Sequence, residues 1–251
     1  MSESLLEIKN LTKNYGTKGF KTSVLKGINL TVNKNDFIAI MGPSGSGKTT
    51  LLNILSTIDK PTSGSVTLDG KDITRLKNNE LSKLRRDKIG FVFQDYNLLD
   101  TMNVQDNIVL PLVLNGVSSQ KCLQKCAHLA SVFGLSEHLN KYPYQLSGGQ
   151  KQRAATCRAL ITGPEIIFAD EPTGALDSKS SYDLLECFKQ VNDNNEATIV
   201  MVTHDAFSAS YAKEVYMLSD GLIRCKLAKG NSRKEFYDRI IDMQASMGSD
   251  F

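Results

Sequence analysis

The residues best suited to chemistry form a short glycine-rich segment, Gly42–Thr49. It reads Gly-Pro-Ser-Gly-Ser-Gly-Lys-Thr and fits the pattern G-x-x-x-x-G-K-[ST] at every specified position. Glycines let backbone N–H groups approach phosphate oxygens, Lys48 can neutralise the β- and γ-oxygens, and the Thr49 hydroxyl can hold Mg²⁺. We therefore assign nucleotide contacts to Gly42, Pro43, Ser44, Gly45, Ser46, Gly47, Lys48, Thr49 and Thr50.

Two carboxylates follow the apolar run Ile166–Ala169. Parallel strands present their ligands at the C-terminal edge of a sheet, so Asp170 and Glu171 are predicted to face the phosphate loop. Asp170 is assigned to Mg²⁺, directly or through water, and Glu171 to polarising the attacking water. The sequence thus predicts phosphate-binding, Mg²⁺-binding and water-activating groups of an ATP-hydrolysing centre.

Two further side chains stand at predicted strand ends. His204 follows the run Thr198–Val202, where a neutral imidazole can bond phosphate and orient the water or the base. Gln94 follows Ile89–Phe93 and offers an amide to Mg²⁺ or to the attacking water. His128 and His138 lack such a position and are expected to be ordinary surface residues.

A second anion cradle is predicted at Ser147, Gly148, Gly149 and Gln150. A serine and two glycines at the start of a helix allow backbone N–H groups to approach a phosphate, and the helix dipole favours its charge. The chain has two such cradles but only one lysine of the Lys48 type. The simplest arrangement is a dimer in which the second cradle of each chain completes the nucleotide site of the other.

The elements that must position these residues alternate between strands and helices. Strands are predicted at 6–8, 24–32, 37–41, 65–68, 89–93, 165–169, 198–202 and 215–218, and helices at 48–58, 120–133, from 147, and at 180–192. A loop is expected at Gly16–Gly19, and Tyr15 in the early β-layer could stack on adenine, although a plain surface tyrosine is the competing interpretation. The pattern predicts one α/β core interrupted by a helical insertion.

We place a single domain at residues 1–230, with its core at 1–94 and 151–230 and a helical subdomain at about 95–150. Phe236, Ile240, Met243 and Met247 recur at helical spacing and predict a short C-terminal extension, 231–251, that packs on the chain's own core.

Composition excludes several classes of protein. No stretch approaches the ~20 apolar residues of a membrane span, and the N-terminus has no signal-like apolar region, so a cytosolic protein is expected. The formal net charge of +3 is too small to indicate nucleic acid as a partner. The five cysteines give no disulfide framework, and Cys122, Cys126 and His128 lack a second ligand pair at zinc-site spacing.

Taken in order, these motifs resemble those of ATP-binding cassette (ABC) transporter ATPases, over roughly residues 5–226. The resemblance implies a P-loop (RecA-like) core with an N-terminal antiparallel β-layer and an inserted α-helical subdomain, ATP and Mg²⁺ as cofactors, and a homodimer closed on ATP. It implies that Tyr15 is the adenine-stacking aromatic, Gln94 the Q-loop, Ser147–Gln150 the signature, Ala175–Asp177 the D-loop and His204 the switch histidine. Asp177 joins the nucleotide-binding residues on this ground alone.

Longer strings at Gln94–Thr101 and Gly174–Ser180 resemble Bce-type ATPases of bacterial resistance to bacitracin and lantibiotics. That resemblance implies an FtsX-like permease partner, a sensor histidine kinase reached through the permease, and a place on the cytoplasmic face of the bacterial membrane. The alternatives within the same subgroup are lipoprotein release, macrolide export and regulation of cell-wall hydrolases in division. A DNA-repair or chromosome-organising ATPase is disfavoured because 95–145 is too short for long coiled coils.

Overall fold

The computed structural model describes residues 3–17, 20–194 and 197–248. Its first two strands, β1 (Ser4–Thr17) and β2 (Phe20–Asn33), pair antiparallel, and β4 (Ser63–Leu68) and β5 (Lys71–Asp72) extend their sheet in the order β2-β1-β4-β5. The predicted loop at Gly16–Gly19 is wrong at its start, because Gly16 is paired within the strand; residues 18 and 19 lie outside the described residues.

The larger sheet holds the strands that lead into the predicted chemistry. In spatial order it consists of β10 (Leu222–Ala228), β9 (Glu214–Ser219), β3 (Phe37–Met41), β8 (Thr198–Val202), β7 (Ile166–Asp170) and β6 (Ile89–Val92). The pairs from β9 to β6 are parallel, and β10 runs antiparallel at one edge.

Strand β3 is apolar at every position because both of its faces are covered. Ala39 and Met41 belong to one hydrophobic cluster, which includes the helical segment, and Ile38 and Ile40 belong to a second cluster beneath the N-terminal sheet. Successive side chains of a strand point to opposite faces, so a strand buried on both sides is an unbroken hydrophobic run. This burial holds β3 in place and thereby sets the position of Gly42, which follows its last residue.

Eight helices within the described residues surround the two sheets. They are α1 (Lys48–Leu55), α2 (Asn78–Asp87), α3 (Val104–Leu114), α4 (Ser119–Val132), α5 (Gly148–Leu160), α6 (Ser178–Asp193), α7 (Ala206–Ala209) and α8 (Arg233–Gly248). Short 3₁₀ turns lie at Ile73–Arg75, Ser136–His138 and Pro143–Gln145. Within the part of the chain that the structure covers, no helix is both long and apolar enough to cross a membrane.

Several elements differ from the sequence predictions. Helix α1 ends at Leu55 instead of residue 58, since Thr57 takes a left-handed conformation with φ 65°. Sequence patterns do not predict β5, α2, α3, α7 or β10: α2 buries only Leu81, and α3 contains Pro111 and lacks a clear apolar stripe. The domain boundaries remain a prediction, and the division at 150/151 falls inside α5.

Candidate functional site

The phosphate loop joins buried strand β3 to α1, and its glycines are required by shape. A Cβ atom at Gly42 would lie 1.9 Å from the carbonyl oxygen of Leu218, so only glycine fits there. Gly47 caps α1 with φ 102°, a conformation that side chains other than glycine rarely adopt. The loop therefore delivers a helix N-terminus, with its free N–H groups, to the C-terminal edge of the sheet.

Lys48 lies inside this loop. Its ammonium donates hydrogen bonds to the carbonyl oxygens of Gly42 (2.8 Å) and Pro43 (2.9 Å). Burial lowers the pKa of Lys48, while the nearby Glu171 and Asp170 act in the opposite direction. A buried cation flanked by free backbone N–H groups is suited to phosphate oxygens.

Thr49 and Asp170 meet although they are far apart in the chain. The Thr49 hydroxyl donates to Oδ1 of Asp170 at 3.4 Å. Burial raises the pKa of Asp170, the neighbouring Glu171 carboxylate raises it further, and the Thr49 hydrogen bond and Lys48 oppose both. A hydroxyl beside a half-buried carboxylate supplies the oxygen ligands that Mg²⁺ prefers, so the residues fit the predicted metal.

Glu171 and His204 also meet at the strand ends. Oε1 of Glu171 lies 2.9 Å from Nδ1 of His204, and its Oε2 accepts from the His204 backbone N–H at 3.3 Å. The Glu171 backbone turns at φ 46° just after β7, and its N–H donates to the carbonyl of Val202. The two side chains line a cleft of about 460 Å³. A carboxylate held by an imidazole in an open cleft is arranged to orient water.

Gln94 lies just beyond β6, exposed and beside the turn that follows Glu171. A methyl group added at Gly174 would come within 3.2 Å of its amide nitrogen. The segment that follows Gln94 is held by Arg158, whose guanidinium donates to the carbonyls of Asn97 (2.5 Å) and Tyr96 (2.9 Å). Sequence reasoning missed Arg158, and the positive φ of Tyr96 and Asn97 is visible only in the fold.

Tyr15 is 42% exposed near the start of α1. Its hydroxyl donates to Asp59 at 2.7 Å, and the Lys13 ammonium lies 4.6 Å from the centre of its ring. Burial and the bond to Asp59 raise the pKa of Tyr15, and a bond with Thr50 opposes them. Lys13 and Asp59 were missed because neither belongs to a motif. The adenine-stacking role of Tyr15 remains a prediction.

The second cradle starts helix α5. Ser147 caps the helix: its hydroxyl accepts from the Gln150 N–H (3.3 Å), and the Gln150 side chain accepts from the Ser147 N–H (2.9 Å). This capping box satisfies two N–H groups at the helix start. Contrary to the surface position expected for it, His138 contacts this box, with its Nε2 2.9 Å from Nε2 of Gln150.

The glycines of the second cradle allow close packing. A Cβ atom at Gly149 would lie 2.5 Å from the Ser180 hydroxyl, and one at Gly148 would lie 3.0 Å from the Tyr96 hydroxyl. Asp177 caps helix α6 and accepts from the N–H (2.9 Å) and the hydroxyl (2.8 Å) of Ser180. These bonds lower the pKa of Asp177. Asp177 therefore holds Ser180 against the cradle.

Within one chain the two cradles stay apart. Among the described residues, no hydrogen bond or ion pair joins 42–50 to Ser147–Gln150, whereas Thr49, Asp170, Glu171 and His204 lie together. The fold therefore assembles one half of the predicted centre around Lys48, and the second cradle makes no hydrogen bond with that half within the described residues.

Comparison with known proteins identifies the family of this chain. The family described as "ABC transporter" matches residues 25–174. "Bacitracin export ATP-binding protein BceA" of Halalkalibacterium halodurans is 51% identical over 246 residues, which is 98% of this chain and 97% of that protein. "Macrolide export ATP-binding/permease protein MacB" of Syntrophobacter fumaroxidans is 46% identical over 221 residues, or 87% of this chain and 31% of that longer protein.

A solved structure has a similar fold. It is described as the dimeric structure of a post-hydrolysis state of the ATP-binding cassette MJ0796 bound to ADP and Pi, and it is 39% identical with a TM-score of 0.83. The match covers 90% of this chain and all of that one. The predicted fold class is therefore confirmed, and the chain belongs to the ABC transporter family as an ATP-hydrolysing nucleotide-binding subunit.

Proposed function

We propose that two copies of this chain close head to tail on two ATP molecules and thereby drive a membrane permease that removes a peptide antibiotic of the bacitracin class. The separation of the two cradles within one chain carries the dimer proposal, since Ser147–Gln150 is not part of a G-x-x-x-x-G-K-[ST] pattern and Lys48 is the one lysine in such a pattern. The dimeric state named for the MJ0796 cassette supports the same assembly. Similarity to the bacitracin export protein along nearly the whole chain supports the cargo.

In this proposal the loop at 42–50 binds the phosphates of one ATP through its N–H groups and Lys48. Thr49, Asp170 and Gln94 hold Mg²⁺, which neutralises charge on the phosphate oxygens when it is bound. Tyr15 stacks on the adenine. Ser147, Gly148, Gly149 and Gln150 of the second chain approach the γ-phosphate from the other side, with Asp177 beside them.

The Glu171 carboxylate accepts a hydrogen bond from the attacking water and orients it. His204 donates from Nδ1 to the Glu171 carboxylate and so holds that carboxylate at the cleft that both side chains line. Gln94, at the start of the segment that leads into the helical subdomain, links the nucleotide to that subdomain. Opening and closing of the site would in this way be transmitted to a permease.

The partner is proposed to be an FtsX-like permease of the Bce type, with a sensor histidine kinase reached through it. This places the chain on the cytoplasmic face of the bacterial membrane. Nucleic acid has no role in the proposal, because the net charge of +3 offers no strong electrostatic attraction for it.

Glu171→Gln tests the catalytic part. The amide cannot accept a proton from water, so kcat for ATP hydrolysis should fall about 10²- to 10⁴-fold while ATP binding persists. With hydrolysis blocked, ATP should convert the purified variant to a dimer, measured by size-exclusion chromatography with light scattering. Glu137→Gln, an exposed change of the same type in a 3₁₀ turn, is the control. A Glu171→Gln protein that stays monomeric at saturating ATP would contradict the shared site.

The cargo is tested in cells. A strain carrying Glu171→Gln should become sensitive to bacitracin-class peptides and keep its normal sensitivity to macrolides. Loss of macrolide resistance alone would favour the second candidate, macrolide export, for which the 46% identity to the export protein MacB is the supporting observation. Altered lipoprotein release or cell division with unchanged drug sensitivity would favour the remaining members of the subgroup. Copurification of the permease identifies the partner directly.

A further inference from the structure

Helix α8 (Arg233–Gly248) packs on the core beside α7. Phe236 and Ile240 are completely buried and share a hydrophobic cluster with Ala209 and Tyr211, which lie at the end of α7 and just beyond it. Met243 and Met247 pack on the same cluster from the later turns of the helix. None of these residues belongs to a nucleotide-binding motif, and their burial holds α8 against the core.

One side chain of α8 reaches the residue that contacts Glu171. The Gln244 amide nitrogen donates to the backbone carbonyl of His204 at 3.0 Å. On its other side, His204 is bonded to Glu171 through its ring and its backbone N–H. The His204 side chain is 69% exposed, so packing gives it little restraint. The ring is therefore directed by its bond to Glu171 and by the backbone at residue 204, whose carbonyl Gln244 holds.

The other end of α8 fixes the segment that follows His204. Asp205 caps α7 by accepting from the N–H groups of Phe207 and Ser208. The Arg233 guanidinium carbon lies 4.4 Å from the ring centre of Tyr211 and 5.6 Å from that of Phe207. The short segment 204–211 is thus held at its start by the end of α8 and at its end by the beginning of α8.

We propose that α8 positions His204 toward Glu171 and that Gln244 is the positioning residue. This inference rests on the proposed role of His204 in ATP hydrolysis. Among the described residues, the Gln244 side chain has no hydrogen bond to the phosphate loop or to Glu171, and its contact with the site is the His204 carbonyl. Any change that shifts the end of α8 would consequently alter hydrolysis without altering ATP binding.

The test substitutes Gln244 alone, because truncation of α8 would remove Phe236 and Ile240 and expose the hydrophobic cluster that they help to fill. Gln244→Met keeps the length of the side chain and removes the donor, and kcat should fall about two- to tenfold, the worth of one hydrogen bond. KM for ATP should stay unchanged, since the phosphate loop is intact. Gln244→Lys keeps an N–H donor and should restore kcat.

Gln190→Met is the matched control, because Gln190 is exposed on α6 and its side chain makes no hydrogen bond within the described residues. The melting temperature of Gln244→Met should equal that of the control. A Gln244→Met protein with the kcat of the control would overturn the inference, and so would a Gln244→Lys protein that is as slow as Gln244→Met.

A double-mutant cycle separates this inference from the function on which it rests. In a His204→Ala background, Gln244→Met should have no further effect on kcat, because the side chain it positions is gone. An equal loss in both backgrounds would show that Gln244 acts elsewhere and would overturn the inference alone. Full activity of His204→Ala by itself would instead overturn the role proposed for His204, and the inference with it.

Discussion

The contact between His138 and Gln150 determines how the second cradle is held. Oε1 of Gln150 accepts from the Ser147 N–H, so its amide nitrogen must face His138 and donate to Nε2. The imidazole is then neutral with its proton on Nδ1, which is buried and has no partner among the described residues. A histidine outside every motif thereby orients a side chain of the signature segment.

We expect His138→Ala to lower ATPase kcat about two- to tenfold, because the Gln150 amide loses its acceptor and the cradle becomes less ordered. ATP binding to the single chain should not change, since Lys48 and its loop lie elsewhere. Steady-state ATPase assays and titration calorimetry measure the two quantities. His128→Ala, an exposed histidine on α4, is the control. Equal activity of the two variants would show that the His138 contact has no role in hydrolysis.

The sequence pattern predicts that α8 is a helix but does not predict where it packs. The spacing of Phe236, Ile240, Met243 and Met247 indicates an amphipathic helix, and the structure has one from Arg233 to Gly248 whose apolar side chains pack on the core. The sequence pattern does not reveal that this face lies over α7, beside His204. That position depends on where α7, which connects β8 to β9, lies relative to the sheet.

We expect Phe236→Ala to lower the free energy of unfolding by about 3–5 kcal/mol, the usual cost of a cavity left by a buried phenylalanine. Tyr237→Ala, one residue further along, should cost far less because that side chain is 36% exposed. Urea denaturation followed by circular dichroism gives both values. Similar values for the two variants would mean that α8 does not contribute to the core as its burial indicates.

At the scale of the whole molecule, the proposed site is divided between two surfaces of one chain. Lys48, Asp170 and Glu171 lie at the C-terminal edge of the parallel sheet, while Ser147 and its glycines begin a helix that contacts α3, α4 and α6. ATP between two chains would bring the halves together, so nucleotide binding and dimerisation should be separable by mutation.

Ser147→Asp is expected to make that separation. Aspartate caps a helix as well as serine does, so α5 should be preserved, but its negative charge would face the γ-phosphate of the opposing site. The variant should bind ATP as a monomer with wild-type affinity and should neither dimerise nor hydrolyse it. Calorimetry, light scattering and phosphate release measure these three properties, with Ser147→Thr as the control. If the aspartate variant dimerises when ATP is added, the second cradle does not face the γ-phosphate.

The sequence by itself determined the local chemistry of this protein. The pattern of glycines, lysine and threonine in 42–49 and the serine with two glycines at 147–149 are local signals, so their spacing predicts a phosphate loop and a helix start. The alternation of apolar runs with helical segments likewise indicated the α/β fold, because buried parallel strands must be apolar on both faces.

Only the tertiary structure decided which of these groups meet. Thr49 and Asp170 are 121 residues apart, and Glu171 lies 33 residues from His204; both contacts follow from the order of β3, β8 and β7 in the sheet. Gln244 reaches His204 for the same reason, through the placement of α8 over α7. Local patterns specify what each segment forms but leave open which segments pack together, and that choice is made by burial of the whole core.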